Sequence, residues 1–412
     1  MNYKFSNRAM HMRRSPLREN AKKNLDITDG ISFSYGFPPM AAFPMEQLAK
    51  ISQYLYTKVD PELFLQYGPA DGYTPLKNII KQRLSNKIGI SQATSYSENV
   101  LITSGSTQAM DLVVRILCNE GDQVLCEEQT FSGAVNNIRS YGAEPVPIPM
   151  DIKHQSIDLV ALEKLLIQDV DHKIKLIYVI PTFQNPLGTT MPLDARQQLY
   201  RLAKRFGVLI FEDDPYGELI YSGKPLPKVK SLDDDGLVIY AGSFSKVFAP
   251  GTRIGCLLAN KEIIKKLILA KQVADSHSNF YWQIMITEYI KQFDLDEHIE
   301  HLKDLYRNKL SVMTTKLDEI SDENFSYIKP TGGYFIGCTI SDQVDPSRFY
   351  DYLNDKKVSI IPGDVMSVTG TGYERCFRLN FTKPTKAEIQ QGIEAIGRAV
   401  KYALVSNRQS AL

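Results

Sequence analysis

The chain contains no run of about 18 apolar residues, so nothing in it reads as a helix that crosses a bilayer. Charge of one sign is equally absent: 48 basic against 47 acidic residues leave +1 over 412 residues. That balance gives no electrostatic footprint for nucleic acid or an anionic membrane, so the expected partners are small molecules and copies of the chain itself. Cysteine is scarce. Cys118, Cys126, Cys256, Cys338 and Cys376 are odd in number and never form a CxxC pair, which argues against a disulfide framework and for a reducing compartment. The first 20 residues are polar and basic, with Arg8, Arg13, Arg14 and Arg18, and lack the apolar centre of a signal peptide, so a cytoplasmic protein is expected. His298 and His301 are spaced to share one helical face, but no third ligand accompanies them; a wet helix surface and no metal site are expected.

What is present is the raw material of a large globular protein. At 43% hydrophobic, 412 residues exceed the size at which one core stops growing, and at least two domains are expected. Between about Val100 and Asn260, short apolar runs alternate with amphipathic segments, the pattern of a mostly parallel sheet with crossover helices. Strands are predicted at Val124 to Glu127, Lys175 to Ile180, Val208 to Glu212, Leu237 to Ala241 and Ile254 to Ala259. Helices are predicted at Gln108 to Cys118, Asp194 to Phe206 and Lys261 to Ala274, from apolar positions three or four apart.

From Phe280 the pattern changes. A long helical stretch through Met313 precedes strands at Tyr334 to Cys338, Val358 to Ile361 and Cys376 to Phe381, and a helix from Lys386 to Ala403 closes the chain. The predicted division is an arm over residues 1–45, with Pro16, Pro38, Pro39 and Pro44, a large α/β domain over 46–279, and a smaller α+β domain over 280–412 that the arm rejoins.

Lys246 lies in Ser243-Phe244-Ser245-Lys246, directly after an apolar strand and seven residues before Arg253. An amine that forms a Schiff base, beside serine donors and a guanidinium fork, suits a phosphate-bearing aldehyde cofactor. Ser104-Gly105-Ser106-Thr107 opens a helix after the strand Val100 to Ile102, offering free N–H groups and a positive dipole end to an anion. Asn185 and the run Asp213-Asp214-Pro215-Tyr216 fall at the carboxyl ends of predicted parallel strands, where such folds bind ligands. Asp213 there is suited to keep a pyridine nitrogen protonated, and Asn185 and Tyr216 to hold a ring hydroxyl. Singly, each motif has an ordinary explanation in turn and cap chemistry; their concentration on one sheet edge does not.

These residues carry a resemblance. With Gln66-Tyr67-Gly68, Gly72-Tyr73-Thr74-Pro75-Leu76, Gln184-Asn185-Pro186-Leu187-Gly188, Pro250-Gly251-Thr252-Arg253-Ile254-Gly255 and Phe377-Arg378-Leu379-Asn380-Phe381, the chain resembles a fold-type I pyridoxal-phosphate (PLP) aminotransferase of class I/II, in the 2-aminoadipate and kynurenine aminotransferase branch, over nearly its whole length. The resemblance implies an α/β transferase fold with a mostly parallel central sheet in the large domain. It implies Lys246 as the Schiff-base lysine and proton carrier, its pKa lowered by burial and positive neighbours such as Arg253. Asp213 becomes the partner of the ring nitrogen, Asn185 and Tyr216 partners of the ring hydroxyl, and Ser106, Thr107, Ser243, Ser245 and Arg253 the phosphate ligands. Phe131 is implied to stack on the ring where relatives often carry tyrosine, and Thr107 stands where relatives often carry glutamine.

Tyr67 is implied to reach the phosphate of a neighbouring subunit, making the protein a homodimer with shared active sites. Arg378 is implied to clamp the substrate carboxylate by bidentate geometry. Side-chain specificity is assigned to the segment Ile31 to Phe43, which includes Gly36 and is rich in aromatics. The expected activity moves the amino group of an aromatic, long aliphatic or 2-aminoadipate-like L-amino acid to a 2-oxo acid, 2-oxoglutarate first. Two alternatives keep the same cofactor residues: a PLP lyase or decarboxylase, and a ligand-sensing relative of aminotransferase-type transcription regulators. The regulator reading is disfavoured by the short stretch ahead of Gly36-Phe37-Pro38.

Overall fold

The structure, a computed structural model, describes residues 3–12, 30–90 and 99–405. Arg13, Arg14, Pro16 and Arg18 lie outside the described residues. After the short strand β1 (Ile31–Ser32), the large sheet comprises β2 (Asn99–Thr103), β3 (Gln123–Glu127), β4 (Glu144–Ile148), β5 (Ile174–Val179), β6 (Leu209–Asp214), β7 (Val238–Ser243) and β8 (Gly255–Ala259). Their order across the sheet is β2-β8-β7-β6-β5-β3-β4. The pairs from β4 through β7 are parallel, and β8 runs antiparallel to both β7 and β2. The carboxyl ends of β2, β3, β5, β6 and β7 therefore share one edge with the amino end of β8.

Near-continuous apolar runs mark strands covered on both faces, and alternation along each run divides the cover. In β5, Leu176 and Tyr178 belong to one apolar cluster and Ile177 and Val179 to another. The first cluster is completed by α1 (Ser106–Leu117), through Ala109, Leu112 and Val113; the second by α2 (Leu193–Phe206), through Leu199 and Ala203; Ile264 and Leu267 of α3 (Lys261–Asp275) join the first. Each fully buried aliphatic side chain of this kind contributes roughly 1.5–3 kcal/mol, so the sheet is a rigid platform for its edge.

Phe280 to Met313 is two helices rather than the single long one expected: α4 (Phe280–Gln292) and α5 (Leu295–Ile320). Asp294 separates them, its carboxylate accepting from the N–H groups of Asp296 and Glu297 as the cap of α5. His298, expected on a wet surface, is half-buried and edge-on to Phe248 and Tyr289, and desolvation lowers its pKa to about 4; His301 is exposed. No group of three or more metal-ligating side chains occurs among the described residues.

A second sheet contains β9 (Phe325–Tyr327), β10 (Phe335–Ile340), β12 (Ile361–Pro362) and β13 (Cys376–Asn380) in the order β9-β10-β13-β12, all antiparallel. The predicted strand Val358 to Ile361 is divided: β11 (Val358–Ser359) pairs parallel with β1, Ile31 beside Val358 and Ser32 beside Ser359. The closing helix α6 (Lys386–Tyr402) starts from a capping box in which Thr385 and Glu388 satisfy each other's backbone N–H. No described helix is long and apolar enough to cross a membrane.

Candidate active site

The shared strand edge faces a cleft enclosing about 1130 Å³ of non-protein space, open solvent at its mouth included. Lys246, Asp213, Tyr216, Ser106, Thr107, Phe131, Asn185, Ser243, Ser245, Arg253, Arg378 and Gly36 all line it. Tyr67 does not; it is 85% exposed and meets His277 edge-on at 5.9 Å.

Lys246 follows β7 and projects its ammonium between aromatic faces, 5.9 Å from the centre of the Tyr216 ring and 5.3 Å from that of Tyr334. Its Nζ donates to the Gly36 carbonyl at 2.7 Å. Burial first, then the positive charges of Arg378 and Arg253, push its pKa down to about 8. A lysine in that range is available as a neutral amine near physiological pH.

Consecutive residues of a strand point to opposite faces, and this separates the two aspartates closing β6. Asp214 turns away from the cleft, ion-paired with Lys228 at 2.7 Å and accepting from the Tyr240 hydroxyl at 2.8 Å. Asp213 turns into the cleft. Its Oδ2 accepts from the Tyr178 hydroxyl at 2.9 Å, while Oδ1 is buried with no partner at hydrogen-bonding geometry. Desolvation raises the Asp213 pKa to about 7, against the pull of the Tyr178 hydroxyl and a lesser one from Ser106, with Asp214 adding to the rise. Such a carboxylate lacks a cationic N–H donor.

The anion cup forms where β2, β7 and β8 meet. Helix α1 begins at Ser106, two residues earlier than expected, and its cap is Gly105. Gly105 has φ +79°, and a Cβ there would stand 2.4 Å from Arg253 Nη2, so only glycine lets the guanidinium lie against the turn. Arg253 reaches this edge because β8 is antiparallel and presents its amino end; it donates to the Ser104 carbonyl at 3.0 Å and to Ser245 Oγ at 3.4 Å. The N–H groups of Ser106 and Thr107 open the helix without intrahelical acceptors. From behind, Lys271 is fully buried and bonds Gln108 Oε1, Asp275 and Ser278, and Gln108 Oε1 also accepts the Ser104 N–H.

Arg378 comes from the other sheet. In β13 it is 3% exposed, with Phe377 and Leu379 alternating into the core on either side. Nη1 donates to Asn185 Oδ1 at 2.9 Å, Nη2 to the Ser34 carbonyl at 2.8 Å, and Nε has no partner; the guanidinium lies 4.1 Å from the centre of the Phe335 ring. It has no carboxylate within ion-pair distance among the described residues, and burial lowers its pKa to about 10. Asn185 is brought to it because the turn Gln184 to Gly188 docks on β10: Gly188, at φ +75°, abuts the Phe335 carbonyl where a Cβ would fall at 2.5 Å.

Several supporting residues carried no sequence signal. Glu127, at the end of β3, is fully buried and accepts from Thr130 Oγ1, Gln184 Nε2 and the Ile180 N–H, tying the loop of Phe131 to that of Asn185. Tyr178, Tyr334 and Phe335 read as ordinary core aromatics in the sequence; only non-local pairing brings them to the site.

A pyridine ring with a phosphate fits these residues: the unpartnered Asp213 oxygen matches a protonated ring nitrogen, the glycine-capped cup matches a dianion, and Lys246 matches an aldehyde. A parallel sheet edge bearing this set defines a pyridoxal-phosphate-dependent transferase of fold type I. The chain belongs to the aminotransferase class I and II family, whose sequence model matches residues 28–396. It is 34% identical over 397 residues to aromatic-amino-acid aminotransferase 1 of Thermococcus litoralis, covering 96% of this chain and 94% of that one. It is 33% identical over 404 residues to the 2-aminoadipate transaminase of Thermus thermophilus, covering 97% of each. The solved kynurenine aminotransferase of Pyrococcus horikoshii superposes with a TM-score of 0.90 at 36% identity, covering 96% of both chains. The protein is a pyridoxal-phosphate-dependent aminotransferase.

Proposed function

We propose that this enzyme takes the amino group from an L-amino acid with an aromatic, long aliphatic or 2-aminoadipate-like side chain and passes it to a 2-oxo acid, with 2-oxoglutarate the favoured acceptor. The observation that carries the reading is the pairing of unmet demands in one cleft: Asp213 Oδ1 and Arg378 Nε are both buried without partners, one calling for a cationic ring N–H and the other for a carboxylate. The names of the relatives above support the donor class. So do Tyr35 and Phe37, which line the cleft mouth as a stacked pair 5.1 Å apart.

When bound, the cofactor supplies an aldehyde for an amine and a ring that withdraws electrons from the substrate Cα. Asp213 keeps the ring nitrogen protonated. Ser106, Thr107, Ser243, Ser245 and Arg253 would hold the phosphate, Phe131 would pack against the ring, and Asn185 and Tyr216 would hold the ring hydroxyl. Arg378 would clamp the α-carboxylate with Asn185 and so orient the Cα–H bond, and the Gly36 segment lines the substrate side of the cleft. Lys246, with a pKa lowered to about 8, would hold and move the substrate Cα proton at Nζ.

The arm over 1–45 and domains over 46–279 and 280–412 belong to this reading, supported by the two separate sheets. A homodimer belongs to it as well, supported by the 85% exposure of Tyr67 beside exposed Leu63 and Leu65. Five unpaired thiols support a cytoplasmic setting. The test is to purify the protein, record its visible absorbance, and rank amino acids by the rate at which each bleaches it while assaying the 2-oxo acid formed. Aromatic donors and 2-aminoadipate lead the ranking; carbon dioxide or an eliminated side chain in place of the 2-oxo acid defeats the reading.

A further inference from the structure

Tyr334 is fully buried immediately before β10 and meets Lys246 at both ends. Its hydroxyl lies 3.3 Å from the Lys246 carbonyl oxygen, and its ring centre lies 5.3 Å from Lys246 Nζ. The hydroxyl also pairs with that of Tyr306 at 3.1 Å. The Tyr334 hydroxyl is the donor in both contacts, its proton shared between the Lys246 carbonyl and the Tyr306 oxygen. The residue is immobilised from three sides: Asn380 Nδ2 donates to its carbonyl at 3.1 Å, and the rings of Tyr216 and Tyr306 pack at 5.5 and 5.2 Å.

Nothing in the chemistry above asks for a phenol at this place, and phenylalanine would fill the same volume without the desolvation cost of a buried hydroxyl. The hydroxyl and the ring face both act on a single neighbour. We propose that Tyr334 is a positioning residue for Lys246, its hydroxyl anchoring the lysine's backbone while its ring face stabilises the cationic head against the charges around it. Those surroundings are the guanidinium groups of Arg378 and Arg253, which oppose the cation together with burial, and the Gly36 carbonyl and the Tyr216 ring, which favour it. Cation–π attraction operates within about 6 Å of a ring centre, so two faces partly offset two arginines.

The inference rests on Lys246 being the cofactor-bonding amine, and the experiment separates the two claims. Lys246 in protein stripped of cofactor is acylated with trace acetic anhydride across a pH series, and the labelled peptide is quantified by mass spectrometry. Removing a cation-stabilising face makes the neutral amine appear at lower pH, so Tyr334→Leu moves the labelling midpoint down by roughly half a unit or more. Tyr334→Phe keeps the ring and the midpoint, while slowing capture of pyridoxal phosphate several-fold through the loosened backbone. Tyr334→Met takes the place of the leucine variant if circular dichroism finds that variant unfolded. A midpoint unmoved by loss of the ring, or moved as far by Tyr334→Phe, overturns the proposal. If Lys246→Ala still holds the cofactor covalently, the reading of Lys246 itself has failed.

Discussion

Asp213 and Asp214 are neighbours of identical chemistry, yet one is neutralised by Lys228 and Tyr240 and the other keeps an oxygen free in the cleft. Asp213→Asn removes the charge that a protonated ring nitrogen requires while keeping the shape. Loss of one member of a buried charge pair costs about 3–5 kcal/mol. The half-reaction rate with the best donor is therefore expected to fall by about 10²–10⁴-fold, with the covalent link to Lys246 intact by absorbance. Arg378→Lys keeps a cation but loses the fork. KM for the amino donor is expected to rise by about tenfold or more, with the phosphate affinity unchanged in a cofactor titration. Among residues, Lys246, Arg253, Asp213, Asn185 and Tyr216 were legible in the sequence because they lie at strand ends, and Arg378, in mid-strand, through the family resemblance. Glu127 and Tyr334 were not, since a lone Glu or Tyr in an apolar run carries no mark of what it faces.

The elements decide which of those residues meet. β8 runs antiparallel to both β2 and β7, and that reversal delivers Arg253 to the edge where α1 begins. Strand and arginine were legible in the sequence but the strand's direction was not, because an apolar run reads the same either way. Gly105→Ala places a methyl group 2.4 Å from Arg253 Nη2 in a backbone conformation that only glycine adopts readily. The guanidinium is then expected to give up the Ser104 carbonyl, and the dissociation constant for pyridoxal phosphate to rise by about tenfold, from strain of order 1–3 kcal/mol. Pyridoxal, which lacks the phosphate, is expected to bind the variant and the parent equally in the same titration. Helix starts were legible to within two residues; the break at Asp294 was missed because apolar spacing continues across it, and the divided strand at Val358 to Pro362 because a change of pairing partner has no local signature.

At the scale of the whole molecule, the buried ionisable groups couple cofactor to stability. The folded pKa of Asp213, about 7, lies above its ordinary value of 3.8. Its contribution to cofactor-free stability is therefore present at low pH and lost as pH rises through about 7. A ring N–H⁺ beside the carboxylate relieves that loss. The thermal stabilisation by pyridoxal phosphate is accordingly expected to be larger at pH 8 than at pH 6, and Asp213→Asn to flatten the difference in a melting series. Assembly is testable in the same way. If Tyr67 serves the partner's site, mixing Lys246→Ala with Tyr67→Ala subunits restores one intact site in each hybrid dimer, and activity is expected to recover to about a quarter of the parent's. No recovery on mixing places Tyr67 outside the site.

The sequence by itself determined six of the seven strands of the large sheet, the helix starts at Ser106, Leu193, Lys261, Phe280 and Lys386 to within two residues, and Lys246, Arg253, Asp213, Asn185 and Tyr216 as site candidates, because apolar periodicity and strand-end polarity are local properties of a chain; Phe131, Thr107, Gly36 and Arg378 followed from the family resemblance. The tertiary structure alone decided that Asp213 Oδ1 is left buried in the cleft while Asp214 pairs with Lys228, that Arg378 of the second sheet meets Asn185 of a turn beyond the first at 2.9 Å, and that Lys246 lies between two tyrosine rings. Those outcomes depend on burial and on contacts between residues as many as 193 positions apart, and no local pattern encodes the field or the desolvation that such contacts create.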